Sequence, residues 1–168
     1  LLKDFKSVRS GKYNQRHQHF EKPGYHLLFV GRIAKNKGQA ELIEFMAAYA
    51  DSFDHPLHLT LVGHSDHGGS GYDARVRHLV ETHDLSDRVT LTGHVSDEDL
   101  YGLYRASDVY VSLSQHEGFG VPLIEAMAFD LPVVALDVAA ISSTLGASGV
   151  RIADTRPDTI ASALAPVL

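Results

Sequence analysis

Six short apolar runs alternate along this chain with stretches of helical period. The first, His26-Leu27-Leu28-Phe29-Val30, has the pattern of a buried strand. Ala40, Ile43, Met46, Ala47 and Ala50 then recur at helical spacing. Further strands are predicted over 57–62, 88–92, 108–114, 131–136 and 149–153, with Pro132 tolerated only near its strand's start. A second helix is predicted over 72–83, with Val76, Leu79 and Val80 inward. Ser96 can cap a third, which presents Leu100, Leu103 and Tyr104 to the core. Two more are predicted over 123–129 and from Arg156 onward, with Pro157 in the first turn. This alternation implies an α/β fold, a Rossmann-like, doubly wound parallel sheet with helices on both faces. Ligands of such sheets lie beyond the carboxyl ends of the strands. Loops 31–38, 63–71, 93–95 and 117–120 all fall on that edge.

With 168 residues the chain can form one ordinary domain with a sizeable core. Residues 1–22 are polar and lack a sustained period, so they read as a lead-in or linker, and 23–168 reads as the domain. The net charge of −6 is uneven: residues 1–38 hold nine Lys/Arg and two Asp/Glu, the rest six and nineteen. The acidic body argues against nucleic acid as a partner. The basic front reads as solvated surface, or as an edge turned toward the cytoplasmic face of a membrane. No apolar run is long enough to span a bilayer, and no signal-peptide pattern is visible. The absence of cysteine rules out disulfides and thiolate metal sites and suits the cytoplasm.

Chemistry concentrates in the segment Glu117-Gly118-Phe119-Gly120-Val121-Pro122-Leu123-Ile124-Glu125. It runs from a predicted strand end through a glycine-bearing turn into a predicted helix. Such a turn lets main-chain N–H groups approach an anion, and the helix start adds roughly half a positive charge. Two carboxylates beside a phosphate cradle would repel the phosphate, unless they accept hydrogen bonds from hydroxyls. The pattern therefore points to a ligand that carries both phosphate and sugar. Phe119, Val121, Leu123 and Ile124 make the stretch between the acids more apolar than an ordinary surface helix start.

Arg32 and Lys37 flank the first loop and offer a planar fork and a compact charge, both suited to a diphosphate. Neither GxxxxGK[ST] nor GxGxxG is present there, which weakens nucleoside-triphosphatase and dehydrogenase readings. His94 follows Gly93 on the ligand edge, where its backbone can meet a nucleobase. His55/His58 and His64/His67 have HxxH spacing without a third ligand, so no metal site is assigned. His116 reads as a strand-end or solvent-facing ring. Tyr101, Tyr104 and Tyr110 could form a stacking platform, but Tyr104 falls in helical register with Leu100 and Leu103 and reads as core. Asp137 follows a strand without an evident partner.

The order Phe29-Val30-Gly31-Arg32, Lys37-Gly38, Leu61-Val62-Gly63, Val89-Thr90-Leu91-Thr92-Gly93, Ala106-Ser107-Asp108-Val109, then Glu117-Gly118-Phe119-Gly120 with Glu125-Ala126-Met127-Ala128, then Leu131-Pro132-Val133-Val134-Ala135 resembles a known family. It is similar to the C-terminal, donor-binding domain of retaining glycosyltransferases of the group often called family four, over about residues 26–153. The resemblance implies one half of a GT-B fold, whose acceptor-binding half would lie N-terminal to this domain. It also implies a UDP-, GDP- or dTDP-sugar donor, and a saccharide or lipid-linked acceptor. Arg32 and Lys37 would hold the diphosphate and steady the leaving group, and Glu117 would bind the sugar hydroxyls. Gly118, Phe119, Gly120 and Val121 would bring main-chain donors to the sugar and phosphate, and Glu125 would take the ribose hydroxyls. The resemblance further implies that no metal is needed, that attack comes from the front face, and that the leaving phosphate accepts the acceptor's proton.

Two departures stand out. Relatives often carry Gly-Gly and then Pro-Glu after the strand that ends near Asp137. Here Ala139-Ala140 and Ser142-Ser143 stand in that loop, which sets aside contacts made from it. Relatives often have Glu before the loop lysine, and here it is Asn36. Rival readings are a non-catalytic nucleotide-sugar-binding module, and a sugar epimerase or phosphorylase on the same architecture. Acid and base groups placed for epimerisation are not identifiable in the sequence.

Overall fold

The computed structural model describes residues 23–65, 71–146 and 148–168; the lead-in 1–22 and His67 lie outside them. Strands β1 (Tyr25–Val30), β2 (Leu57–Val62), β3 (Val89–Gly93), β4 (Val109–Ser112), β5 (Val133–Leu136) and β6 (Val150–Ile152) form one sheet in the order β3-β2-β1-β4-β5-β6. Every neighbouring pair is parallel. The intervening helices are α1 (Gln39–Tyr49), α2 (Tyr72–Thr82), α3 (Asp97–Ala106), α4 (Val121–Ala128), α5 (Ala139–Leu145) and α6 (Pro157–Leu164). A short 3-10 turn, Lys35–Lys37, precedes α1.

Side chains alternate across each strand, so a sheet covered on both faces favours apolar residues at successive positions. Leu27 and Phe29 of β1, Val109 and Val111 of β4, and Val134 and Leu136 of β5 pack on one face with α1, α2 and α6. Leu28, Tyr110, Val133 and Ala135 face the other way, onto α3, α4 and α5. Helix α1 buries a wide stripe that includes Leu42 and Phe45 beside Ile43 and Met46. Ala47, expected on that stripe, is exposed instead.

The stretch after Asp137, read from the sequence as a loop, contains α5. Ile141 and Leu145 are buried one turn apart and fasten it to the second core. Its start has no side-chain cap, and Ser142 hydrogen-bonds to the carboxylate of Asp137. Elsewhere the predicted strands and helices are present, with ends shifted by up to two residues. Ser96 caps α3 as expected, its Oγ accepting from the Asp99 N–H at 3.1 Å.

The chain's direction across the sheet reverses between β1 and β4, so their carboxyl ends open the crevice where doubly wound folds bind ligands. The loops that leave these strands touch: the Gln115 N–H donates to the Asn36 carbonyl at 2.8 Å. Gly38 makes the contact close. Its φ is 76°, and a Cβ added there would lie 2.5 Å from the Leu113 Cβ and 2.7 Å from the Leu113 carbonyl oxygen. Gly38→Ala therefore combines left-handed strain with a backbone clash and should lower stability by about 2–4 kcal/mol. Urea unfolding of the variant against the parent measures the loss.

Candidate functional site

The crevice is built from the loop after β1 and the turn between β4 and α4. Lys37 closes the 3-10 turn, and Glu117 lies five residues beyond the end of β4. The Lys37 Nζ donates to Glu117 Oε1 at 2.7 Å and to the His116 carbonyl at 3.1 Å. The two side chains are only 13% and 16% exposed. An ion pair removed this far from water holds best when extra hydrogen bonds complete it, and the His116 carbonyl provides one. Lysine has three N–H donors, and among the described residues two are engaged here.

Arg32 is exposed on the same loop as Lys37. Its main chain is clamped, because the fully buried Gln39 donates from Nε2 to the Arg32 carbonyl at 2.7 Å. Tyr72 steadies the start of α1, where Gly38 has no side chain to cap with: its hydroxyl accepts from the Ala40 N–H at 3.0 Å. Neither Gln39 nor Tyr72 was legible as a site residue, since each acts through main-chain atoms of another element.

On the other side of the crevice, Gly120 is the left-handed N-cap of α4, with φ 64° and ψ 42° and no side-chain cap. The opening N–H groups of that helix are thus unshielded by any cap. Gly118 and Phe119 are exposed, and Thr144 Oγ1 of α5 donates to the Phe119 carbonyl at 3.3 Å. The apolar stretch between the acids divides: Leu123 is buried, while Phe119, Val121 and Ile124 are 74%, 46% and 39% exposed.

Glu125 lies one turn into α4 and is half-buried. The Tyr104 hydroxyl donates to its Oε2 at 2.9 Å. Burial pushes the Glu125 carboxyl above its ordinary range; the bond from Tyr104 opposes this, and the charge of Asp97 adds to it. Tyr104 is core, as its spacing implied, with its ring flat against Phe129 at 5.4 Å and 7°. Tyr110 is also buried, and its hydroxyl donates to the Val30 carbonyl at 3.3 Å. The stacking-platform alternative for these two rings is therefore set aside by burial.

His94 is exposed at the end of β3, edge-on to His64 with ring centroids 6.4 Å apart. It shares the ligand edge but lies on the far side of β2 from the crevice. His55 meets Tyr25 edge-on, while His58 stacks on His26 with centroids 5.0 Å apart, so this HxxH pair faces two different neighbours. Asp137, at the carboxyl end of β5, lies 3.9 Å from Arg151. The His116 ring is exposed, and only its main chain enters the site.

A family model described as "Glycosyl transferases group 1" matches residues 12–168. Mannosylfructose-phosphate synthase of Agrobacterium fabrum is 37% identical over 119 residues, which cover 70% of this chain and 26% of that protein. The structure of sucrose-phosphate synthase from Thermosynechococcus elongatus aligns with a TM-score of 0.74 at 31% identity, over 86% of this chain and 36% of that one. The pneumococcal O-GlcNAc transferase GtfA, solved in complex with UDP and GlcNAc, aligns with a TM-score of 0.69 at 28% identity. That alignment covers 84% of this chain and 28% of GtfA. The chain thus spans well under half the length of these relatives.

The raised Glu125 carboxyl makes a stability prediction whose sign is fixed. An unfolded glutamate ionises near pH 4.3, while the folded one holds its proton to higher pH. The favourable contribution is complete below about pH 4.3 and is lost as pH rises through the folded value. Glu125→Gln should therefore raise Tm at pH 7, and the gap from the parent should close below about pH 4.3. Thermal unfolding at pH 3.5, 5 and 7 reads both effects.

Proposed function

This chain belongs to the glycosyl transferases group 1 family, and from that premise we propose that it is the donor-binding domain of a retaining glycosyltransferase. It holds a UDP-, GDP- or dTDP-hexose and supports transfer of the hexose to a saccharide or lipid-linked acceptor. The observation that carries this reading is the Lys37–Glu117 pair at the crevice between β1 and β4, with Glu125 one turn into the adjoining helix. A cation and two carboxylates in one crevice suit a ligand that is anionic at one end and rich in hydroxyls at the other.

In this reading Arg32 and Lys37 meet the diphosphate, and Lys37 keeps its bond to Glu117 while it does so. Glu117 uses its second oxygen for hydroxyls of the donor sugar. Gly118, Phe119, Gly120 and Val121 offer main-chain donors at the start of α4. Glu125 accepts from the ribose diol, and His94 meets the base by its backbone. The bond between the anomeric carbon and the diphosphate oxygen breaks while a bond to the acceptor oxygen forms on the same face. The acceptor's proton passes to the leaving phosphate. Charge on that phosphate is met by Arg32, Lys37 and the helix end, so no metal is assigned a role.

Two sets of measurements test the reading. In a thermal-shift series, a nucleoside-diphosphate sugar should stabilise the chain more than NAD or ATP; stabilisation by NAD alone would end the proposal. In calorimetry, Glu125→Ala should weaken nucleoside-diphosphate binding by about 1.5–3 kcal/mol, the worth of hydrogen bonds to a charged group. Arg32→Ala should weaken the diphosphate while leaving the free nucleoside nearly unchanged. Equal losses for both ligands would contradict its assignment.

A further inference from the structure

We propose that Tyr104 is the positioning residue for Glu125, fixing which carboxylate oxygen is turned toward the ribose diol. The inference rests on the reading of Glu125 given above. Tyr104 reaches Glu125 from a different helix, 21 residues away, so the bond is a tertiary device and not part of the turn of α4. Its ring has little freedom: it is 1% exposed, stacked on Phe129 and tilted against Tyr110 with centroids 6.3 Å apart. The hydroxyl, 3.3 Å from the Pro122 carbonyl and 2.9 Å from Glu125 Oε2, spans the first turn of α4.

A carboxylate offers about four lone-pair positions on two oxygens. Tyr104 occupies one position on Oε2, which leaves Oε1 and the rest of Oε2 for two adjacent hydroxyls. Burial drives the Tyr104 hydroxyl far above its ordinary range, so it stays protonated and remains a donor at every working pH. Tyr104 and Asp97 act on the Glu125 carboxyl from α3, and buried Tyr110 of β4 lies within electrostatic reach of it; of the two α3 groups only Tyr104 favours the charged form. Removing its hydroxyl should both loosen the carboxylate and let it take up a proton at higher pH.

The test is Tyr104→Phe in this chain, a change that keeps the stacked ring. The probes are UDP or GDP, whichever the parent binds more tightly, and the 2′,3′-dideoxy counterpart of that nucleotide, measured by calorimetry from pH 5 to 8. At pH 7 the variant should bind the ribonucleotide about 10-fold more weakly and the dideoxynucleotide as the parent does. The acid-side loss of ribonucleotide binding should move to higher pH. In a Glu125→Gln background the same change should have little further effect, because the coupled partner is gone. Equal losses for both probes, or an unmoved pH midpoint, would make Tyr104 a packing residue and overturn the assignment. If Glu125→Gln weakens the ribonucleotide and Tyr104→Phe does not, the assignment alone falls. If Glu125→Gln leaves ribonucleotide affinity unchanged, the ribose reading falls and this assignment with it.

Discussion

Lys37 and Glu117 stand 80 residues apart in sequence and meet at 2.7 Å. The contact exists because β1 and β4 are neighbours, paired Leu27 to Val109 and Leu28 to Tyr110, with their carboxyl ends at one edge. Each charge is largely withdrawn from water, so each depends on the other: truncating one would leave its partner desolvated and uncompensated. The surrounding links keep the loops in place for that pair. Gly38 lets the backbone pass close to Leu113, Asn36 accepts from Gln115, and Ser114 Oγ donates to the same His116 carbonyl that Lys37 uses. The strand order, the loop packing and the electrostatics of the crevice are therefore one arrangement.

The two acids of the segment are held by different chemistry. Glu117 faces a cation, the Lys37 ammonium at 2.7 Å, which places a positive group within reach of any neighbouring anion. Glu125 faces a neutral phenol in a half-buried position where desolvation dominates. The second arrangement costs the folded protein stability at pH values where the carboxyl is ionised, since burial penalises the charged form. A residue kept against its own stability is a common mark of a functional position, where groups are arranged for a ligand and not for the empty fold.

How much of this was legible from residues alone follows the range of the interactions. The strands could be read because both faces of the sheet are covered, which writes largely apolar runs into the sequence. Helix α3 could be read because its cap is local: Ser96 and Asp99 are three residues apart. The turn from Glu117 to Glu125 could be read because glycine, proline and acid residues mark it directly. Helix α5 could not, since Ser142, Ser143 and Thr144 are weak helix formers that compete for backbone hydrogen bonds. Burial of Ile141 and Leu145 fastens that segment to the fold, and nothing local announces it. Tyr104 was placed correctly in the core by its period, but a hydroxyl that finds a carboxylate 21 residues away leaves no trace in spacing. The same holds for the clamp of Gln39 on Arg32 and the cap from Tyr72.

Phe119, Val121 and Ile124 conflict with simple burial, since each leaves a large apolar side chain in water beside the two acids. The turn does not hold its shape through them. Leu123 and Ala126 anchor α4 from the inner face, and Thr144 of α5 holds the Phe119 carbonyl from the side. Freed from a packing role, the three side chains are left accessible to whatever ligand reaches the turn between the acids. A ligand that covered these side chains would displace their water and lower the local dielectric, so that each hydrogen bond made there to a carboxylate strengthens relative to its counterpart in open water. In the proposed reading that is what a sugar hydroxyl at Glu117 requires. A solvated carboxylate already has good partners in water, and only a site that partly excludes water gives the sugar's donors an advantage over it.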